Sequence, residues 1–246
     1  ALCVSVDNYP LPSNSSLVAL VGPSSPLVDD TTISFYGDSI TWLNKYEPLI
    51  QASIQKSPYT ANLSVRIINQ GVNGGTVKDL VTGYSPWGHL DPDEPQSNIT
   101  FEQTLARDQP TIAVVQIGVN DVWQAGPSCG YRCSNVTEFV RVFKEKIAKP
   151  VMQRGSLLVI ASVSTIGEAP HGMNAFDKEL DAFASAQYQL AQDLGVPFVP
   201  LRDIDEQYEA TFNCRALAKG VLTVDGVHPN SRGAINLGAY TDDSKS

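Results

Sequence analysis

From residue 31 onward, β-rich apolar runs of four to seven residues alternate with longer stretches in which apolar side chains recur at helical spacing. The runs predict strands over Thr32–Tyr36, Val65–Asn69, Ile112–Gly118, Leu157–Ser162 and Pro197–Pro200. The intervening stretches predict helices over Ile40–Gln55, Phe101–Arg107, Asn135–Lys149 and Asn174–Leu194, with a short closing helix over Ser231–Ala239. Asn135 suits the N-cap of its helix, because Glu138 stands three residues later. Near-continuous apolar strands separated by helices describe a parallel sheet covered on both faces. The expectation is one three-layer α/β/α domain over residues 31–246, a doubly wound parallel sheet of about five strands.

Residues 1–30 break this rhythm. They are rich in Pro and Ser, with one short apolar patch at Leu17–Val21, and read as an N-terminal arm. The composition is 42% hydrophobic, enough for a substantial core. A formal net charge of -9 opposes electrostatic capture of nucleic acid or anionic lipid, so no nucleic-acid partner is expected. Apolar stretches such as Leu157–Ala161 and Ile112–Ile117 fall far short of the roughly 20 residues a membrane span needs.

Four cysteines, without a C-x-x-C pair, favour disulfides over a zinc site. Of three possible connectivities, the spacing favours Cys129 with Cys133, which leaves Cys3 with Cys214. N-glycosylation sequons occur at Asn14, Asn62, Asn98 and Asn135, where composition alone would give about two. The chain begins at Ala1 with no signal-peptide pattern, as a mature chain or a trimmed one would. Together these features predict a secreted, extracellular glycoprotein.

In a doubly wound sheet the functional crevice lies beyond the carboxyl ends of the strands. The first strand runs into Gly37-Asp38-Ser39-Ile40-Thr41 and a helical pattern, which puts Ser39 where unpaired amides favour developing negative charge. A nucleophile suits that position, although Asp38 or Ser39 would equally serve as a helix cap. The G-x-S-x-G nucleophile elbow is not met, since residue 41 is Thr. Near the other end, Asp225-Gly226-Val227-His228-Pro229 offers a base and a carboxylate to orient it. The other histidines, His89 and His171, lack an equally close acidic partner upstream. The second and third strands run into Asn69-Gln70-Gly71-Val72-Asn73-Gly74 and Gly118-Val119-Asn120-Asp121, where a glycine amide and an Asn side chain could stabilise an oxyanion.

The four segments, in this order, resemble the SGNH, or GDSL-type, hydrolase family. The resemblance spans residues 37–228 and implies a flavodoxin-like fold. It implies Ser39 as nucleophile, His228 as general base and Asp225 as its orienting acid. The Ser39 amide, the Gly74 amide and the Asn120 side chain would be the oxyanion donors. Hydrolysis by this set requires no metal and no cofactor.

Two loops should wall the substrate pocket: Gly83–Asn98, with Trp87 and His89, and Val122–Ser134, with Trp123 and Tyr131. Aromatic rings beside polar groups suit stacking on sugars, while the alternative is that Trp87 and Trp123 pack their loops onto the domain. The expected partner is a small-molecule or glycan ester, the first reading being a carbohydrate O-acetyl esterase or short-chain carboxylesterase. A lipid-directed esterase would keep the catalytic residues and change only the pocket lining. A noncatalytic glycan-binding module would leave the set idle. Oligomeric state is not legible in the sequence.

Overall fold

A computed structural model describes residues 25–86, 98–126 and 128–238. Cys3, Asn14, Trp87, His89 and all but the last six residues of the expected arm lie outside the described residues.

Among the described residues five strands, β1 (Thr31–Gly37), β2 (Val65–Gly71), β3 (Ile112–Gln116), β4 (Leu157–Ala161) and β5 (Phe198–Val199), form one parallel sheet in the order β2-β1-β3-β4-β5. This is the flavodoxin-like order, with its switch point between β1 and β3. The register sets Gly37 level with Gly71 on one side and Gln116 on the other, so these strands end along one line. β5 is the edge strand. It is confined to two residues because Pro197 and Pro200, which cannot donate to a ladder, bracket it.

The helices are α1 (Ser39–Trp42), α2 (Glu47–Lys56), α3 (Val77–Thr82), α4 (Phe101–Asp108), α5 (Val119–Trp123), α6 (Val136–Phe143), α7 (Lys149–Gln153), α8 (Asp177–Leu194), α9 (Leu201–Phe212) and α10 (Ser231–Gly238). Consecutive residues of β1 point to opposite faces of the sheet. Phe35 meets Tyr46, beside α2, and Tyr36 meets Phe101 of α4, with ring centroids 5.6 and 4.9 Å apart. Thus α2, with α10 against it, covers one face, while α4, α3, α6 and α8 pack on the other. Buried Phe139, Phe143 and Phe183 fill the second layer.

Two helical expectations are corrected. Ile40–Gln55 is two helices, because Asn44 turns the chain at φ 51° and Pro48, lacking an amide, fits only a first turn. The Asn135–Lys149 helix runs on to Gln153, with Asn135 as N-cap and a π turn at Lys144–Ala148. Pro150 cannot donate to the carbonyl four residues earlier, and the widened turn accommodates it. α3, α5 and α9 have no counterpart in the sequence reading. The inward face of α9 mixes Leu201, Ile204, Tyr208 and Phe212, which recur at helical spacing, with buried Arg202, Asp205 and Glu209.

Candidate active site

The carboxyl ends of β1, β2 and β3 place three loops side by side. After β1, Asp38 caps α1, its Oδ1 accepting from the Ile40 amide at 2.9 Å. The cap is therefore Asp38, which leaves the Ser39 hydroxyl for another partner. That partner is His228, 189 positions away, whose Nε2 lies 2.9 Å from Ser39 Oγ. His228 Nδ1 lies 2.7 Å from Asp225 Oδ2. A carboxylate accepts only from a protonated Nδ1, so Nε2 is left to receive the serine proton. Asp225 Oδ1 accepts the amides of Val227 and His228 at 3.0 and 2.8 Å. Partial burial pushes this carboxyl up, but the His228 ring bond and the two amides outweigh it and hold the pKa at about 2.

The loop bearing Asp225 and His228 is fixed from beneath by Glu168. Its fully buried carboxylate accepts the amides of Val221 (2.6 Å), Leu222 (2.8 Å) and Thr223, and the Thr223 hydroxyl (2.6 Å). Thr223 Oγ1 in turn accepts from the Gly226 amide at 3.0 Å, and the Gly167 amide donates to Gly226 O at 2.7 Å. Lys45, between α1 and α2, donates to Pro229 O at 2.7 Å and ties the serine and histidine segments together.

On the β2 side, Asn69 binds the serine turn to the sheet. Its Nδ2 donates to Thr41 O and to Glu47 Oε1 at 2.7 Å, and its Oδ1 accepts from the Gly71 amide at 2.9 Å. A Cβ at Gly71 would stand 2.1 Å from the Trp42 amide nitrogen, so only glycine lets α1 approach β2 this closely. Gly74 adopts φ 67°, a left-handed turn that a side chain would strain. Asn120, buried on α5, donates through Nδ2 to Gly75 O at 3.1 Å. The Gly74 turn and the Asn120 carboxamide are thus neighbours. Asp121 knits three segments, accepting the amides of Val77 and Ser134 at 2.9 Å each, and burial pushes its carboxyl up to about 7. Burial likewise raises Asp38 to about 7 and Glu47 to about 8.

Cys129 and Cys133 form the expected disulfide, and Cys214 is disulfide-bonded; the proposed partner Cys3 lies outside the described residues. Inside the small loop, Arg132 pairs with Asp79 of α3 at 2.9 Å and reaches Gly74 O at 3.4 Å, while its guanidinium lies 5.4 Å from the centre of the Tyr84 ring. Trp123 is 45% exposed and Tyr131 79%, so neither ring is packed inward. Asn62, Asn98 and Asn135 are exposed.

Glu168 and Arg132 escaped the sequence reading, because their partners are 50 or more positions away; the one local hint was Arg132 lying between two paired cysteines. A second cluster gathers His171, Asp181 and Glu206, with ligand atoms within 4.8 Å of one another. Buried Arg202 already fills it with positive charge, donating through Nε to Asp181 Oδ1 at 2.7 Å and standing 2.8 Å from Glu206 Oε1. It is an ion-pair network joining α8 to α9.

The chain belongs to the GDSL-like lipase/acylhydrolase family, whose model matches residues 35–234, and it is a carboxylic ester hydrolase. Among solved structures, it is similar to the acetyl xylan esterase AlAXEase, 23% identical over 85% of this chain and 96% of that one, with a TM-score of 0.68. It is also similar to the acetylxylan esterase Axe2 of Geobacillus stearothermophilus, 16% identical over 86% and 92% of the two chains, TM-score 0.64. LAE5, an α/β hydrolase enzyme from the metagenome of Lake Arreo, Spain, is 18% identical over 87% and 94%, TM-score 0.67. Comparison with curated proteins finds no match. No described helix is long and apolar enough to cross a membrane.

Proposed function

We propose that this chain is a secreted serine esterase that removes short acyl groups, acetyl foremost, from carbohydrates through an acyl-enzyme. The observation that carries the reading is the relay from Ser39 to His228 to Asp225, at 2.9 and 2.7 Å. Ser39 Oγ attacks the ester carbonyl carbon while its proton passes to His228 Nε2. The resulting oxyanion is held by the Ser39 amide, the Gly74 amide and Asn120 Nδ2. Collapse breaks the bond to the sugar oxygen, which leaves with the proton from His228. Water then attacks the acyl-enzyme while His228 takes its proton, and as the bond from the acyl carbon to Ser39 Oγ breaks His228 returns that proton to Oγ and the carboxylic acid departs.

The acetyl xylan esterases of like fold support carbohydrate as the alcohol. So do the exposed Trp123 and Tyr131 rings, on α5 and on the disulfide loop that contacts the Gly74 turn, since sugar rings stack on such surfaces. Disulfides and exposed sequon asparagines support an extracellular location with N-glycosylation.

The test is release of acetate from acetylated polysaccharides and of acids from short acyl esters, with Ser39→Ala as control. Acetate release that Ser39→Ala abolishes is expected. Octanoyl esters cleaved faster than acetyl esters would overturn the carbohydrate assignment in favour of a lipid-directed one. Failure to label with a fluorophosphonate, in folded protein, would overturn the serine mechanism.

A further inference from the structure

An oxyanion-hole asparagine works only if its NH₂ end, and not its oxygen, faces the substrate. The two ends are the same size, so packing alone does not choose between them. In this chain the choice is made by hydrogen bonds that start and finish on backbone carbonyls. Gly75 O can only accept, and it takes Asn120 Nδ2–H at 3.1 Å. Asn120 Oδ1 accepts from Gln124 Nε2 at 2.8 Å. The same Nε2 donates its other hydrogen to Gly74 O at 3.1 Å. Each donor in the series meets an acceptor, and turning either carboxamide over would set oxygen against oxygen. Gln124 stands one turn after Asn120, at the C-cap of α5, where its own amide also donates to Asn120 O at 3.0 Å.

We infer that Gln124 is a positioning residue for ester hydrolysis: one NH₂ group fixes the Asn120 carboxamide as a donor and joins it to the Gly74 turn, so that both oxyanion donors keep one spacing. This inference rests on the serine-esterase reading. Asn120 has one Nδ2 hydrogen on Gly75 O and therefore one to offer the substrate oxygen. Without Gln124, Oδ1 is left buried without that donor and only Gly75 O opposes the flip, so the flipped carboxamide, with Oδ1 toward the oxyanion, gains population. The ester carbonyl binds much as before, because the hole tightens chiefly on the charge that develops later.

The test uses Gln124→Met, which keeps the length and loses the donors, and Gln124→Glu, whose carboxylate accepts where a donor is required. With p-nitrophenyl acetate, Gln124→Met is expected to lower kcat about tenfold with KM within about twofold, and Gln124→Glu to lower kcat further. Affinity for a boronic acid, whose adduct with Ser39 carries an oxyanion, falls by the same factor as kcat. Asn120→Ala combined with Gln124→Met is expected to fall below Asn120→Ala by much less than the factor Gln124→Met costs alone, because the carboxamide to be positioned is gone and only the Gly74 contact is left to lose. Losses that multiply in the double variant, or unchanged kcat in both single variants at native melting temperature, would overturn the inference. Persisting activity in Ser39→Ala would instead overturn the esterase mechanism itself, so the two failures are distinguishable.

Discussion

The carboxylate of Glu168 accepts both the hydroxyl and the amide of Thr223, two positions before Asp225, and Thr223 Oγ1 passes the constraint on by accepting from Gly226. A buried side chain 57 positions before Asp225 thus sets the shape of the turn that carries the base. Glu168→Ala strands three buried amides and one hydroxyl. It is expected to cost at least about 2 kcal/mol of stability and to reduce kcat through a loosened His228. Urea unfolding and p-nitrophenyl acetate turnover check it; native stability would refute it.

Asn120→Ala removes one side-chain oxyanion donor. Its expected effect is a kcat lower by roughly 10² to 10³, about 3 to 4 kcal/mol of transition-state stabilisation, with KM little changed. Steady-state kinetics decide it, and a loss confined to KM would assign Asn120 to substrate binding instead.

Activity should fall on acidification. His228 must be neutral to take the serine proton, and Asp225, held at about 2, stays ionised far below the working range. A kcat/KM profile flat down to about pH 4 would contradict the role of His228.

Stability should move the opposite way. Burial raises Asp38 and Asp121 to about 7, Glu47 to about 8 and Glu209 to about 9, so the fold binds protons that the unfolded chain has already released at about pH 5. A raised folded pKa gives stability that is complete below the unfolded value and lost as pH rises through the folded one. Between about pH 5 and 9 the unfolding free energy is therefore expected to decline with rising pH. Asp225, with its lowered value, has its loss only below about pH 4 and does not act in that window. Denaturation midpoints at constant ionic strength test this, and a midpoint rising with pH would refute it.

The Cys129–Cys133 disulfide closes a loop too short to affect the unfolded chain much, yet it presents Arg132 to Asp79 and Gly74. Replacing both cysteines with serine is expected to lower kcat several-fold while shifting the melting temperature by no more than a few degrees. Calorimetry and kinetics on the double variant check both halves; a large melting shift with unchanged kcat would reverse the assignment.

By itself the sequence determined what is local. The alternation of apolar runs with helical stretches specified a two-sided parallel sheet, and Asp38-Ser39, Gly71, Gly74, Asn120 and Asp225-x-x-His228 carried their chemistry in short segments at strand ends. Turn and cap preferences act over a few residues, which is why Asn135 could be read as an N-cap. Tertiary structure alone decided the rest, because it depends on groups that meet only after the sheet has formed. In α9, Leu201, Ile204, Tyr208 and Phe212 keep a helical spacing that the chain displays, but only the fold shows that Arg202, Asp205 and Glu209 are buried among them. Glu168 gave no sign of its role, as a carboxylate reveals a nest of amides only once the amides surround it. The same holds for the 2.9 Å between Ser39 and His228: both ends were visible in the chain, but the strand order brought them together.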